Sequence, residues 1–362
     1  MDVILGVILS ALAGVGVGTF LLPLKFSKTW KWENSWIVGA CFMYCILPII
    51  ILVLVSSDPW AIYQEVGSKA IIILFVCGII QGTGALVFTY GTTIMGLSLG
   101  YALMIGCIMV FGLLIPFLGA HRDRILEVDG IALMIGLLLL LIGIAFSGKA
   151  GLQREQQQPA SATGPRRKVS LGLVIAVVLW SGIANSFYYF IHEFGESVRQ
   201  AAVHHGVHEY FASQFNNLPF FLGMLVINIA ISIPRMMKDN SLKNYWSGSR
   251  LPFEYLLAAA IGILWFAGQG IAYPIGYTRL GPLGVSVGAA LFMGMIIVTS
   301  NVVGIRTGEW KNASPQSRKN LNIGLVLLVL AMIVVSLGNS LREQQEARQP
   351  TKLTSESSQP AK

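Results

Sequence analysis

The sequence contains little charge. Only 12% of its 362 residues are Asp, Glu, Lys or Arg, whereas an average soluble domain has about 25%. Hydrophobic residues make up 54% of the chain, and the mean hydropathy is +0.68. A soluble globule of this composition would lack the polar residues needed to cover its surface. The composition therefore excludes a soluble enzyme, a nucleic-acid-binding protein and a secreted disulfide scaffold, and favours a helical membrane protein.

Cysteine is also scarce, and the four cysteines all lie within apolar runs: Cys41, Cys45, Cys77 and Cys107. Cys41 and Cys45 share a helix face, but no further metal ligands stand near them in the sequence. We interpret them as packing residues and predict no metal or cofactor. The amino terminus lacks the basic segment and cleavage site of a signal peptide, so the first apolar run is predicted to be retained.

Long apolar runs free of charged residues dominate the rest of the chain. About 20 such residues span the hydrocarbon core of a bilayer as a helix. The boundary between the third and fourth runs, at 92–95, is the least marked, and one long kinked helix there is the alternative. We predict ten transmembrane helices, at residues 3–24, 35–57, 70–92, 96–118, 130–148, 169–191, 211–233, 255–277, 281–305 and 321–340.

The basic residues between the runs predict the orientation. The loops after spans 1, 5, 7 and 9 carry 16 of the 25 Lys and Arg residues. The positive-inside rule places these loops in the cytoplasm, so both termini are predicted to face outward. Tryptophans near span ends, among them Trp36, are predicted to lie at the membrane interface.

A polar segment at 151–168 divides the chain into two parts with five spans each. We predict a first five-helix repeat at 1–150, a cytoplasmic linker at 151–168, a second repeat at 169–340 and a disordered tail at 341–362. Because five is odd, the second repeat must insert with the opposite orientation to the first. The predicted fold is an all-α membrane protein of ten transmembrane helices arranged as two inverted five-helix repeats, a pattern typical of secondary transporters.

Small residues suggest how the helices pack. The pairs Gly14/Gly18, Gly78/Gly82 and Gly284/Gly288 have the G-x-x-x-G spacing that lets helix backbones approach closely in lipid. We predict close packing at these positions.

Polar and aromatic residues near span midpoints are the candidate substrate site. Gln81 and Gln269 occupy equivalent places in the two halves, and Trp265 lies one turn before Gln269. Amides with flat aromatic faces suit a neutral polyol, whereas the alternative role for buried amides is hydrogen bonding between helices. The predicted substrate-binding residues are Gln81, Gln269, Trp265, Tyr273, Asn185 and Asn217.

Ionisable residues at membrane depth usually mark proton pathways, but none lies near a span midpoint here. Candidates for proton coupling therefore stand at span ends: His192, Glu193, Glu196 and Glu33. The alternative is that these are solvated loop charges. His204 and His208 have the i, i+4 spacing of a metal pair, yet a third firm ligand is missing, which leaves a pH-responsive surface or an amphipathic helix as alternatives.

Several short segments, spread in order along nearly the whole chain, resemble the L-rhamnose–proton symporter family. They include Trp30–Trp36, Gln81–Gly84, Gly96–Gly100 and Glu309–Ala313. The resemblance implies a ten-helix member of the drug/metabolite transporter superfamily in a bacterial inner membrane. In that membrane, the outward-facing termini predicted from the basic loops would be periplasmic. It further implies import of L-rhamnose driven by the inward proton gradient. No predicted span carries a paired nucleophile and base, so we predict no enzymatic activity.

Two other functions remain open at this point. An exporter of drugs or metabolites from the same superfamily would share the fold, although a cationic drug would favour a carboxylate near the midplane. A membrane scaffold or sugar sensor would need no flux, but the short loops and the absence of an appended soluble domain in this sequence argue against it.

Overall fold

The computed structural model describes residues 2–120, 126–157, 171–280 and 288–348, and all regular structure within these ranges is helical. The α-helices, in chain order, are α1 (Asp2–Thr19), α2 (Trp32–Cys41), α3 (Leu47–Val55), α4 (Pro59–Val66), α5 (Ser68–Met95), α6 (Leu97–Ala120), α7 (Val128–Gln157), α8 (Leu171–Asn185), α9 (Phe190–His204), α10 (Glu209–Lys238), α11 (Leu251–Trp265), α12 (Tyr273–Leu280), α13 (Ala289–Arg306) and α14 (Pro315–Arg348).

The apolar runs form helices, as the sequence predicts. Within the described residues, six helical segments are long and apolar enough to cross a membrane, and three shorter apolar helices accompany them. Helical structure covers most of every predicted span, while residues 169–170 of the sixth span and 281–287 of the ninth lie outside the described ranges. The protein is therefore an all-helical chain with several membrane-spanning segments.

The third and fourth spans are separate helices. Helix α5 ends at Met95, and Gly96 adopts φ +85° before α6 begins at Leu97. This left-handed conformation favours glycine. A Cβ atom at Gly96 would also lie 3.0 Å from Oε2 of Glu309. The alternative of a single kinked helix is wrong.

Two predicted boundaries need correction. Helix α7 continues to Gln157, so residues 151–157 of the predicted linker are helical. Helix α14 continues to Arg348, well into the predicted tail. The rest of the linker and tail, 158–168 and 349–362, lies outside the described residues.

Helix α4 was not predicted, because it is too short to span a membrane. Asp58 caps its amino terminus by accepting hydrogen bonds from the backbone N–H groups of Trp60 and Ala61, and Pro59 occupies the first turn. The hydroxyl of Tyr63 donates to the carbonyl oxygen of Phe215 at 2.8 Å. Helix α4 is thus attached to α10, in the other half of the chain.

Glycine contacts bring the helices close together. A Cβ atom at Gly78 would overlap the backbone carbonyl of Phe220 on α10, and one at Gly14 would overlap Phe292 and Met295 on α13. The close packing predicted for these glycine pairs is confirmed, whereas Gly284 lies outside the described residues.

Irregular turns interrupt several of the described spans, and three of them are important for the site. π-Helical turns at Phe42–Ile46 and Phe266–Ala272 separate α2 from α3 and α11 from α12. A 3-10 turn at Ser186–Tyr189 joins α8 to α9. Such turns change the direction in which side chains point, and they often occur at functional sites. Each of these three contributes a residue to the cavity described next.

Candidate functional site

A cavity of about 150 Å³ lies between helices from both halves of the chain. The first half contributes side chains from α1, α2, α5 and α6, and the second half contributes them from α8 and α10 to α13. Five of the six predicted substrate-binding residues line this cavity: Gln81, Asn185, Trp265, Gln269 and Tyr273. Asn217 is buried in α10 but is not among the lining residues.

Gln81 presents an unused acceptor. The side chain is buried, and no donor in the described residues reaches its Oε1 atom. Most buried polar groups in native structures have a partner. Because Gln81 lines the cavity, a ligand hydroxyl is a natural donor for this oxygen.

Gln269 lies in the π-helical turn of the second half, between Gly268 and Gly270. Its side chain is hydrogen-bonded to Tyr188, which lines the same cavity. A Cβ atom at Gly268 would lie 2.7 Å from the carbonyl oxygen of Ala13 on α1. The small neighbours of Gln269 thus let this turn pack closely against the first half.

Asn185 is oriented by its own helix. Its Nδ2 donates to the carbonyl oxygen of Ser181 at 2.8 Å and lies 3.3 Å from the Ser181 hydroxyl. The amide nitrogen is therefore already hydrogen-bonded within α8, while the amide oxygen accepts no hydrogen bond from the described residues. Like Gln81, Asn185 offers an acceptor to the cavity.

Aromatic rings form much of the remaining wall. Trp265 makes edge-to-face contacts with Tyr44 and Phe221, with ring centroids 5.6 Å apart in each case. Tyr273 stacks on Phe292 at 4.3 Å. Neighbouring rings hold one another in defined orientations, so the cavity has rigid, flat apolar faces.

The sequence did not indicate Trp36 and Tyr44 as cavity residues. Trp36 is not an interface residue, because it is only 1% exposed and its Nε1 donates to Oδ1 of Asn228 at 2.6 Å. Asn228 is a polar residue within the seventh predicted span. A buried amide there needs a polar partner, and this need was the sequence signal that could have indicated a buried Trp36. Tyr44 faces the cavity from the first π-helical turn, which no sequence pattern indicated.

The cavity carries no Asp, Glu, His, Lys or Arg among its lining residues within the described structure. A side chain that takes up a proton near neutral pH must therefore lie outside these lining residues, and the candidates are carboxylates elsewhere in the protein. Glu33 is 3% exposed, and its Oε1 lies 2.8 Å from Nε of Arg235. Its Oε2 has no hydrogen-bond partner in the described residues.

Glu254 provides a contrast with Glu33. This buried carboxylate accepts from the Ser27 hydroxyl, the Lys28 backbone, and both the backbone and the hydroxyl of Thr29. Both of its oxygens are satisfied, as expected for a structural role.

The other predicted proton-coupling residues are placed differently. Glu196 is partly exposed and pairs with Arg199 at 2.6 Å on the same helix, which fits the alternative of a solvated charge. The side chains of His192 and Glu193 lie outside the described residues.

His204 and His208 do not share a helix face, although their i, i+4 spacing in the sequence would allow it. Helix α9 ends at His204, and His208 caps the amino terminus of α10 through a 3.3 Å bond from the Tyr210 backbone N–H to its Nδ1. His204 and its neighbour His205 instead face Glu65 at the end of α4.

Comparison with known proteins bears directly on this architecture. The family model of the L-rhamnose-proton symport protein (RhaT) matches residues 1–341. The L-rhamnose-proton symporter of Citrobacter koseri is 26% identical over 342 residues, covering 92% of this chain and 97% of that protein. Its counterpart from Shigella boydii is 27% identical with the same coverage.

No solved structure matches this chain. The family match extends through both halves and includes every described residue that lines the cavity. The chain therefore belongs to the L-rhamnose-proton symport protein family.

Proposed function

We propose that this protein is a secondary active transporter that imports L-rhamnose together with protons across a bacterial inner membrane. The observation that carries the proposal is the uncharged cavity of amides and aromatic rings between the two halves. The names of the relatives support the same substrate and coupling ion. Neither the family nor the cavity favours an enzyme or an exporter.

The cavity matches the chemistry of a neutral deoxy sugar. Hydroxyl groups need partners when they leave water, and Gln81, Asn185 and Gln269 supply amide groups for them. The C–H faces and methyl group of the sugar need apolar surface, which Trp265 and Tyr273 supply. A charged substrate would lack a counter-ion at this site.

Glu33 is the proposed proton acceptor. Within the described residues its Oε2 has no hydrogen-bond partner and is available to take up a proton, and protonation would remove the charge that attracts Arg235. Trp36 follows Glu33 by three residues on α2 and lines the sugar cavity. A change at Glu33 can therefore reach the sugar site through a single helix.

Ion pairs support the ten-span topology. With ten spans, an ion pair is possible only between groups on the same side of the membrane, and the pairs between distant parts of the chain fulfil this condition. The pairs on the predicted inner side are Lys25–Glu309, Lys31–Asp239, Arg154–Glu309 and Arg235–Glu33, and those on the outer side are Glu65–His205 and Arg342–Asp129.

Helix packing supports the inverted repeat. If the halves are exchanged, span 1 corresponds to span 6, span 2 to span 7, and so on. Helix α1 packs against α13, and its counterpart α8 packs against α6. Helix α2 packs against α11, and its counterpart α10 packs against α5. Helices α7 and α14 are each other's counterparts and pack together.

Transport by the purified protein tests the proposal. We expect proteoliposomes to accumulate radiolabelled L-rhamnose when an inward proton gradient is imposed, and a protonophore to abolish the accumulation. Protein-free liposomes and a sugar of different hydroxyl configuration are the controls. If L-rhamnose uptake were the same with and without the proton gradient, proton coupling would be rejected. If no L-rhamnose entered at all, the proposed substrate would be rejected.

A further inference from the structure

Three metal-ligating side chains meet on the outer side of the predicted topology. Glu65 lies in the last turn of α4, His204 is the last residue of α9, and His205 follows it. One ligand atom from each residue lies within 4.8 Å of the other two. His205 Nε2 is 2.7 Å from Glu65 Oε2, and His204 Nδ1 is 3.5 Å from Glu65 Oε1.

We propose that Glu65, His204 and His205 bind a divalent zinc ion. Zinc takes imidazole nitrogens and carboxylate oxygens at about 2.0–2.2 Å in a tetrahedral arrangement, so its ligand atoms are about 3.3 Å apart. The two His–Glu distances lie on either side of this spacing. Two imidazoles and one carboxylate leave the fourth position for water, whereas magnesium and calcium favour oxygen ligands alone. All three side chains are accessible to an ion from solution.

The site joins two parts of the molecule that are distant in sequence. Glu65 belongs to the first half of the chain, and the two histidines belong to the second, 140 residues away. A bound ion would replace a single hydrogen bond with coordination bonds between α4 and α9. If the halves move against each other during transport, as the proposed function requires, the ion restricts that movement at the outer end and slows uptake.

Binding is measured on the full-length purified protein by titration calorimetry with zinc chloride. We expect one site, and we expect His205→Ala and Glu65→Gln each to weaken it by about tenfold or more. His208→Asn is the matched control, because it removes a nearby histidine while keeping a good helix cap. Cys41→Ser/Cys45→Ser is a second control that should leave zinc affinity unchanged.

Unchanged zinc affinity in His205→Ala and Glu65→Gln would overturn the site, as would an absence of binding by the parent protein. Thermal unfolding without metal verifies that each variant is folded. Thermal unfolding with magnesium chloride in place of zinc should show no stabilisation, and magnesium stabilisation as large as that by zinc would contradict the ligand assignment.

The effect on transport is measured separately, in the rhamnose uptake assay. We expect external zinc to slow uptake by the parent protein and to have no effect on His205→Ala. Zinc binding without slowed uptake would overturn the bridging role. An absence of rhamnose uptake would count against the proposed function, and calorimetry would still decide whether the zinc site exists.

Discussion

At the residue scale, Gln81 and Gln269 differ in their hydrogen bonding, although the proposed repeat places them at equivalent positions in the two halves. No described residue donates a hydrogen bond to the amide oxygen of Gln81, whereas the side chain of Gln269 is hydrogen-bonded to Tyr188. Gln81 can therefore accept from a ligand without losing an existing bond. Gln269 must share or exchange its bond with Tyr188, which makes it the better candidate for sensing whether the site is filled.

Replacing either glutamine tests their role as sugar ligands. We expect Gln81→Leu and Gln269→Leu to weaken L-rhamnose binding by roughly tenfold or more, since a lost hydrogen bond to a buried polar group costs about 1–3 kcal/mol. Titration of the purified variants with L-rhamnose measures the loss. Asn217→Ala is the control, because Asn217 is buried in the neighbouring α10 but does not line the cavity. Wild-type affinity in both leucine variants would remove the glutamines from the site.

Replacing Glu33 separates proton coupling from sugar binding. We expect Glu33→Gln to bind L-rhamnose and to exchange it across the membrane, yet to lose accumulation driven by a proton gradient. The amide cannot take up a proton near neutral pH, although it has nearly the same shape as the carboxyl group. Comparison of gradient-driven uptake with exchange in proteoliposomes makes the distinction.

Glu196→Gln is the matched control for Glu33→Gln, because Glu196 is partly exposed and paired within its own helix. It should accumulate rhamnose like the parent protein. Gradient-driven accumulation by Glu33→Gln would transfer the role of proton acceptor to another carboxylate.

The cavity residues that the sequence predicted share one property: they are polar or aromatic groups near the midpoint of an apolar span. That property identifies residues that need a partner, but it does not say which way each one faces. Asn217 is an example: it is not among the residues that line the cavity, since packing against α5 limits which side chains of α10 reach it. Trp36 was misinterpreted because a tryptophan near a span end commonly lies at the membrane interface.

At the element scale, glycine determines how closely α5 approaches α10. A side chain at Gly78 would overlap the Phe220 carbonyl, and one at Gly223 would overlap the Phe75 carbonyl in return. The two helices therefore pack through both of their backbones. Because α5 carries Gln81, this contact also fixes the position of a residue that we propose binds the sugar.

A larger residue at Gly78 should disturb both the fold and the site. We expect Gly78→Leu to lower the thermal unfolding midpoint of the purified protein, since overpacking costs about 1–3 kcal/mol or more. Gly148→Ala on α7 is the control, because the atom nearest to its Cβ would be 4.0 Å away. An unfolding midpoint unchanged in Gly78→Leu would mean that α5 and α10 can separate without cost.

The sequence predicted the long helices well and the short ones poorly. A run of about 20 apolar residues has one stable form in a bilayer, a helix. Helix α4 depends instead on the Asp58 cap and on the Tyr63 bond to α10, which is a tertiary contact. The π-helical turns depend on packing between helices, so neither apolar periodicity nor charge indicated Phe42–Ile46 or Phe266–Ala272.

At the scale of the whole molecule, the ion pairs and the basic loops address different questions. The ion pairs constrain which loops share a side of the membrane, but they do not indicate which side is the cytoplasm. The distribution of Lys and Arg addresses the orientation, but only if the number of spans is right. Together they predict a single arrangement, in which the loop between α13 and α14 is cytoplasmic and the end of α9 is periplasmic.

Labelling of single cysteines tests both parts of this arrangement. In a background without the four native cysteines, Asn312→Cys and Ser197→Cys introduce one exposed thiol each, with three predicted spans between them. We expect an impermeant maleimide to label Ser197→Cys in spheroplasts and Asn312→Cys only in inside-out vesicles. If both sites reacted from the same side, the number of spans between them would be even and the ten-span topology would be wrong. If each reacted from the side opposite to the predicted one, the span count would stand and only the orientation would be reversed.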